Sequence, residues 1–513
     1  MFNQLLTKAF LHPESTYDQR WVLFSILSGV VMVAAVLRVR SKSNIPVINK
    51  YSGDFFLKKA HTEYLNNAKA LIAEGNKKFD GPFRVLTTLG SRVILPPRFT
   101  DWAKNCKDLD HPKLVADEYF ARYPGFDGSG MVVDPGRMMI NITKTKLSQS
   151  SQCNIFNERI SGILEKEWTN TQGNWRTVDW ALDAQRYVGL MSAPIFAGPE
   201  LANDPQWHEL TVTYTINLFN GVRALRAWPP LLRPIVHWIL PECSTCRAQV
   251  KLARNKLKPV LEKRAHEKKE ELAAGRNPTI YEDAITWSED LAAGRPVDHA
   301  AMQLAFAISA MHTTTELLRQ ALLDICAHPY LIQPLREEAE AAVAKHGWTT
   351  AGLSQMQLLD SVVKETQRLK PGSLVNLERK ALEDIVMPNG TILPKGTNIA
   401  MDTSVMWDPT VYLDPETYDG YRFYNNRHGG GPRARDAQLV STSSDFIAFG
   451  LGKPVCPGRF FAANEIKVAL ANILMRYDVR LPDGAKPRVL HYGFEMLSDP
   501  SAKVEVKRRI TVK

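Results

Sequence analysis

The sequence predicts a mainly α-helical protein with small β-sheets, preceded by one apolar segment near its N-terminus. Long segments in which apolar residues recur at helical spacing fill much of the chain after residue 50. Strand-like segments are short and scattered between them. The 44% apolar and 23% charged residues are ordinary for a globular protein, and they exclude a disordered, collagen-like or multi-span membrane chain.

The apolar segment at residues 21–37 carries no charge and is followed at once by Arg38, Arg40 and Lys42. At about 1.5 Å per residue it reaches roughly 26 Å, close to the thickness of a bilayer core. The basic residues behind it predict that the chain after residue 38 faces the cytosol. A buried core helix is the alternative interpretation. We predict four parts, namely a lumenal segment at 1–20, a transmembrane anchor at 21–37, a basic, proline-containing hinge at 38–52 and a soluble body at 53–513.

The body is predicted to contain long helices, at residues 154–167, 208–225, 246–274, 298–327 and 354–369. Asp298 and Ser354 suit the N-caps of the last two, and Pro371 ends the last one because proline lacks a donor. Strands are predicted at residues 83–89, 92–95, 382–386, 391–392 and 398–401, and Asn389-Gly390 predicts a hairpin turn. Residues 407–446 predict a long irregular connection, of the kind that often surrounds a functional site.

The net charge limits the classes of binding partner, and the cysteine content indicates the compartment. The net charge is +10, from 64 Lys and Arg against 54 Asp and Glu, which is weak evidence for a nucleic-acid partner. It fits an anionic membrane surface or an acidic protein equally well, so we predict no nucleic-acid binding. Six cysteines are too few for a disulfide scaffold, which favours a reducing compartment. The apolar region at residues 228–240 predicts either contact with a bilayer or buried packing.

The residues that most clearly indicate a chemical function lie near the C-terminus. Residues 446–459 place Cys456 between glycine turns, just before a helical segment that begins at Phe460. Backbone N–H groups and the dipole at a helix N-terminus favour a thiolate over a thiol. A thiolate held in this way suits an axial ligand of haem iron. Taken alone, a cysteine in a glycine-rich loop is more often structural than a metal ligand.

This segment resembles the haem-binding loop of the cytochrome P-450 family, Phe-Gly-x-Gly-x-(Arg/His)-x-Cys-x-Gly. The matching residues are Phe449, Gly450, Gly452, Cys456 and Gly458. The chain departs from the pattern at Pro454, where the family has a basic residue for a haem propionate; Lys453 and Arg459 are candidates to replace that contact. The resemblance implies the cytochrome P-450 fold, haem b with Cys456 as its metal ligand, and Arg379 as a propionate-binding residue.

Three further motifs follow the family's order. Glu365 and Arg368 match the Glu-x-x-Arg of its K helix, and residues 415–423 resemble its meander, which implies that Arg422 joins them in a structural triad. Residues 309–314 align with the I-helix motif of the family. There Thr313 takes the place of the threonine that orders water and delivers protons to dioxygen. His312 replaces the usual acid, and it either relays protons or has no role.

The resemblance is to fungal microsomal members similar to ent-kaurene oxidases. It implies a haem-thiolate monooxygenase that hydroxylates a bulky apolar secondary metabolite, such as a terpenoid, indole alkaloid or polyketide. Its implied partners are dioxygen and NADPH–cytochrome P-450 reductase, at the endoplasmic reticulum membrane with the body in the cytosol. Substrate contacts are expected around residues 119–127, 228–240 and 373–376. Two alternatives stay open, namely oxidative aryl coupling or desaturation at the same haem, and a non-catalytic haem-binding membrane protein.

Overall fold

A computed structural model describes residues 44–169 and 173–510. Its α-helices are α1 (Lys58–Lys78), α2 (Thr100–Asn105), α3 (His111–Glu118), α4 (Asp127–Val132), α5 (Met138–Thr145), α6 (Ser150–Glu167), α7 (Trp180–Ala197), α8 (Pro205–Arg226), α9 (Arg233–Val236), α10 (Pro241–Ala273), α11 (Ala284–Ala292), α12 (His299–Phe306), α13 (His312–Ala327), α14 (Ile332–His346), α15 (Thr350–Gln355), α16 (Gln357–Leu369), α17 (Arg422–His428) and α18 (Arg459–Arg476). Its strands are β1 (Phe83–Thr87), β2 (Gly90–Leu95), β3 (Leu109–Asp110), β4 (Arg176–Val178), β5 (Val375–Ala381), β6 (Ile385–Val386), β7 (Ile392–Leu393), β8 (Asn398–Asp402), β9 (Tyr477–Arg480), β10 (Leu490–Tyr492), β11 (Glu495–Leu497) and β12 (Val504–Arg508). The predicted class, mainly helical with small sheets, is confirmed.

The strands form small separate sheets. The largest has the order β1-β2-β8-β5-β3, with β2 and β8 parallel and its other pairs antiparallel. A second sheet has the order β4-β12-β9, and β6–β7 and β10–β11 are hairpins. The hairpin predicted at Asn389-Gly390 is confirmed, since these residues join β6 to β7 and Gly390 adopts a φ of 79° that favours glycine.

The main hydrophobic core surrounds α18. This helix is buried along most of its length from Phe461 to Leu474, as expected of a helix that is apolar on several sides. It packs against α6, α13 and α14, and α13 packs in turn against α7 and α16. Phe449, in the loop that leads to α18, packs against the same core. The same core therefore includes residues of the cysteine loop and of the long helix formed by α12 and α13.

The helix predicted at residues 298–327 is present but not uniform. Asp298 caps it as predicted, because its side chain accepts a hydrogen bond from the backbone N–H of Ala301 at 3.0 Å. Residues Ala307–Met311 then form a π-helical segment between α12 and α13. Segments of π-helix are rare in proteins overall, but those that occur often lie at functional sites. Helical periodicity in the sequence does not reveal them.

The N-cap predicted at Ser354 is wrong. Ser354 lies inside α15, and α16 begins only at Gln357. The backbone N–H groups of Leu358 and Leu359 donate instead to the carboxylate of Glu338 on α14, at 2.7 and 3.0 Å. A carboxylate from another helix satisfies the free N–H groups of this terminus.

The described part of the predicted hinge packs onto the body. Ile45 is buried, and Asn49 exchanges two hydrogen bonds with the backbone of Leu86 on β1, at 3.0 and 2.9 Å. The predicted anchor at residues 21–37 lies outside the described residues. Among the residues that are described, no helix combines the length and apolar character needed to span a bilayer.

Candidate active site

The cysteine loop is closed by its own backbone. The N–H of Cys456 donates to the carbonyl of Phe449 at 2.9 Å, which brings the two ends of the predicted motif together. Gly450 and Gly452 have φ values of 74° and 76°, in the left-handed region. A Cβ atom on Gly452 would lie 2.7 Å from the carbonyl oxygen of Lys104, so this position also requires glycine for space. Gly458 directly precedes α18 as its N-cap residue.

Cys456 lies at the N-terminus of α18 and is half-buried. Burial raises the pKa of its thiol, while backbone N–H groups of Gly458 and Arg459 and the charge of Arg459 act in the opposite direction. The N–H groups thus favour the thiolate in the predicted direction, although burial outweighs them in the free thiol. A metal cation bound at the sulfur would reverse this balance, because a coordinating thiol loses its proton.

Arg379 lies beside the cysteine loop with no acidic partner. The residue is 4% exposed on β5, and its guanidinium donates to the carbonyls of Leu451 and Pro454 at 3.4 Å each. No ion pair joins it to a carboxylate within the described residues. Burial lowers the pKa of the guanidinium, and the charges of Asp110 and Glu378 only partly oppose this shift. An anionic group bound here supplies the missing partner, which fits a propionate.

The centre of the long helix is open on one side. Ser309 and Thr313 are exposed although the neighbouring residues Met311 and Thr314 are buried. The hydroxyl of Thr313 donates to the carbonyl of Ser309, in the π-helical segment, at 3.1 Å. It keeps its acceptor lone pairs for a further donor such as water. The structure thus leaves the predicted Thr313 exposed rather than packed in the core.

His312 is oriented differently from Thr313. It is half-buried, and its Nε2 atom has no hydrogen-bond partner among the described residues. Burial lowers the pKa of the imidazole, and the positive charge of Arg319 lowers it further. The ring is therefore neutral near pH 7. Its role as a proton relay stays a prediction.

The three residues of the predicted triad are in contact. The guanidinium of Arg368 donates to both carboxylate oxygens of Glu365 at 2.8 Å, and both side chains are fully buried. Arg422 donates to the same carboxylate at 3.0 Å from its Nε atom. Arg368 also binds the carbonyls of Met406 and Pro415, at 2.6 and 2.7 Å. The triad therefore ties α16 to the irregular connection that precedes the cysteine loop.

Sequence reasoning missed three supporting contacts. Asn376 donates from Nδ2 to the carbonyl of Ala448 at 3.0 Å, which braces the start of the cysteine loop. Lys364 is fully buried, and its ammonium donates to carbonyls of Asp436, Gln438 and Ser441. Glu465 is fully buried on α18, where Ser192 donates to it at 2.7 Å, and burial raises its pKa to about 8. No local sequence signal identifies these contacts, because each partner is distant in the chain.

These residues fit a haem bound through a cysteine. Such a group needs a sulfur ligand, a cation for a propionate and an open face above it. Cys456 at a helix N-terminus, the buried Arg379, which forms no ion pair with any described residue, and the exposed hydroxyl of Thr313 meet these needs. Within the described residues no cluster of His, Cys, Asp and Glu offers a different metal site. The arrangement defines the class of protein as one that binds a porphyrin through one sulfur ligand.

Comparison with known proteins agrees with this class. The model of the cytochrome P-450 family matches residues 142–508. The chain is 38% identical over 481 residues to cytochrome P-450 monooxygenase ntnM of Nectria, covering 93% of this chain and 91% of that protein. It is also 38% identical over 491 residues to cytochrome P-450 monooxygenase adrA of Penicillium rubens, covering 94% and 95% of the two chains. The chain belongs to the cytochrome P-450 family, and it is a monooxygenase with a haem-thiolate site and a redox partner.

Proposed function

We propose that the protein is a membrane-bound monooxygenase that hydroxylates a bulky, largely apolar secondary metabolite. The observation that carries the proposal is the open face of the α12–α13 helix at Thr313, beside the core that holds the Cys456 loop. The cofactor in this proposal is haem b, which when bound through a thiolate activates dioxygen for insertion into C–H bonds.

Each site residue has its own role in this proposal. Cys456 supplies the sulfur ligand, and Phe449, Gly450, Gly452 and Gly458 shape the loop that presents it. Arg379 neutralises a propionate. Thr313 would hold a water molecule through its free acceptor lone pairs while its own O–H stays on the carbonyl of Ser309, and the second O–H of that water would be the proton donor toward dioxygen.

Surface features support a membrane location. Leu231, Ile235, Trp238 and Ile239 are between 60% and 74% exposed, which favours bilayer contact over buried packing for the region at residues 228–240. Together with the apolar segment at residues 21–37, this supports a single-pass protein of the endoplasmic reticulum with its body in the cytosol.

Charges near the cysteine loop support docking of NADPH–cytochrome P-450 reductase. Lys453 within the loop is exposed, as are Arg433 and Arg435 in the segment that Arg459 binds through the carbonyl of Val440 at 3.0 Å. Cations at this face suit an acidic electron-donor protein.

The test uses the full chain co-expressed with a reductase. The ferrous–CO complex of the wild type is expected to show the thiolate-type absorption band, and Cys456→Ala is expected to abolish it. Cys106→Ala is the control, because Cys106 is equally half-buried but lies outside the site. A wild type without this band contradicts the proposal.

The type of reaction is then identified by incubating the protein and its reductase with metabolite extracts of a fungal host and labelled dioxygen, and by measuring the label in the product. One labelled oxygen atom in the product supports hydroxylation. A product without label favours aryl coupling or desaturation at the same site. A normal thiolate band with no consumption of any metabolite favours the non-catalytic alternative.

A further inference from the structure

The irregular segment at residues 436–441 lies next to the cysteine loop. All six of its residues are described, and none of them belongs to a helix or a strand. Its backbone hydrogen bonds are local, such as the bond from the Ser441 N–H to the Gln438 carbonyl at 3.0 Å. Arg459, the first residue of α18, donates from Nε to the carbonyl of Val440 at 3.0 Å. The conformation of the 436–441 segment therefore depends on side chains from other elements.

Lys364 on α16 supplies the largest set of these contacts. Its side chain is fully buried, and its ammonium donates to the carbonyls of Asp436, Gln438 and Ser441 at 2.6, 2.7 and 3.2 Å. An ammonium has three N–H donors, one for each of these carbonyls. Burial lowers the pKa of this amine to about 7. A neutral amine would leave one carbonyl without a donor, so the arrangement fits the charged form.

Two further contacts of α16 hold the same region. Asp360 lies one helical turn before Lys364. Its carboxylate accepts from the N–H of Leu439 at 2.7 Å and from the ammonium of Lys467 on α18 at 2.9 Å. The Nζ atom of Lys364 also lies 4.1 Å from the ring centroid of Phe446, at the start of the cysteine loop. Helix α16 therefore holds both the 436–441 segment and the beginning of the cysteine loop.

Arg459 connects the 436–441 segment to the sulfur ligand. While its Nε atom binds the carbonyl of Val440, its Nη1 atom donates to the carbonyl of Cys456 at 2.9 Å. Burial raises the pKa of the Cys456 thiol, and the charge of Arg459 opposes that shift. One guanidinium thus bridges the segment to the residue that supplies the ligand. Its position depends on where the carbonyl of Val440 is held.

We propose that Lys364 is a positioning residue for the sulfur ligand, because it holds the 436–441 segment so that Arg459 stays against Cys456 and favours the iron-bound thiolate. This inference rests on the haem site of the proposed function and assigns that site a residue which does not touch it. Replacement of Lys364 by methionine keeps the apolar stem and withdraws all three N–H donors from the segment at once. The carbonyl of Val440 then no longer holds Arg459 in place.

The experiment measures the ferrous–CO spectrum of the full chain at a fixed pH and after a fixed time. The readout is the ratio of the band without a thiolate ligand to the thiolate-type band. Lys364→Met is expected to raise this ratio about 10-fold over the wild type, as expected for the loss of hydrogen bonds to a charged group. Lys364→Arg keeps the charge and the N–H donors, and its ratio is expected to stay within about 3-fold of the wild type.

Arg336→Met is the matched control. Arg336 is also a buried cation that donates to backbone carbonyls, those of Leu474 and Tyr477 at 2.8 and 3.2 Å, but at the other end of α18. This variant is expected to lower the urea midpoint of unfolding and to keep the wild-type band ratio. If the band ratio rises in Arg336→Met as it does in Lys364→Met, the role of Lys364 is one of general stability, and the proposal is overturned.

A double variant tests the route through Arg459. Arg459→Met alone is expected to raise the band ratio. If Lys364 acts through Arg459, the double variant Lys364→Met/Arg459→Met is expected to have the ratio of Arg459→Met within about 3-fold, because residues of one network are not additive. A ratio in the double variant that equals the product of the two single effects contradicts this route and overturns the proposal.

Hydrogen exchange measured by mass spectrometry follows the 436–441 segment directly and does not depend on bound haem. Exchange of its N–H groups is expected to be several-fold faster in Lys364→Met than in the wild type or in Arg336→Met, and equal exchange overturns the proposal. If Lys364→Met does not fold, Lys364→Gln replaces it, with two N–H donors and no charge, and a wild-type band ratio in that variant is the overturning result. A wild type that has the thiolate band, with variants that keep the ratio, overturns only this inference, whereas a wild type without the band overturns the proposed function.

Discussion

Replacement of Glu365 by glutamine tests how much the buried triad stabilises the fold. The carboxylate accepts two hydrogen bonds from Arg368, one from Arg422 and one from the N–H of Asp419, at 2.8 to 3.2 Å. Glutamine keeps the shape but removes the negative charge. It leaves the fully buried Arg368 with only carbonyl partners and the ring of Tyr412, 4.9 Å from its guanidinium.

Removing one partner of a buried ion pair costs about 3–5 kcal/mol, because the other charge stays buried without compensation. A domain has only about 5–15 kcal/mol of stability, so the loss is a large share of the total. We expect Glu365→Gln to shift the urea midpoint of unfolding, followed by far-UV circular dichroism, far to lower concentration and to reduce the haem content of the purified protein.

The control is Asp80→Asn, which breaks an arginine–carboxylate contact of 2.6 Å at the surface, where Arg98 and Asp80 are 53% and 95% exposed. Exposed pairs of this kind contribute less than about 1 kcal/mol. The reasoning is refuted if Glu365→Gln lowers the midpoint no more than Asp80→Asn does, since the two contacts have similar lengths and differ mainly in burial.

Three further predictions follow from the site. Thr313→Ala is expected to raise peroxide release per NADPH consumed several-fold, because no hydroxyl holds the relay water, and Thr313→Ser is expected to keep the wild-type ratio; equal ratios in all three contradict the role. Arg379→Leu is expected to lower the haem content of purified protein, because a propionate loses its buried cation, and full haem content contradicts this. Glu465→Gln is expected to flatten the pH dependence of stability. The pKa of Glu465 is about 8 in the folded protein, above the value of an unfolded glutamate. The stabilisation that its carboxyl group gives the folded state is therefore full at acid pH and is lost as the pH rises through about 8. Thermal midpoints between about pH 5 and pH 9 measure this, and parallel curves for wild type and variant contradict it.

The sequence alone determined the features that depend on neighbouring residues. The order of the motifs around Thr313, Glu365 and Cys456 indicated the family, which the comparisons confirm. Helical periodicity located the long helices to within a few residues, and the cap at Asp298 followed from its side chain. Gly450 and Gly452 were expected at turns, and both have positive φ. In each case the cause lies within one helical turn or one loop.

The tertiary structure decided what depends on residues far apart in the chain. Helical spacing does not reveal the π-helical segment at Ala307–Met311, which packs against α8. The cap of α16 comes from Glu338 on another helix, so Ser354 was the wrong residue. The buried Lys364 binds carbonyls of residues that lie more than 70 positions later in the chain. Long-range packing sets the burial and the partners of a polar group, and these decide its charge and chemistry.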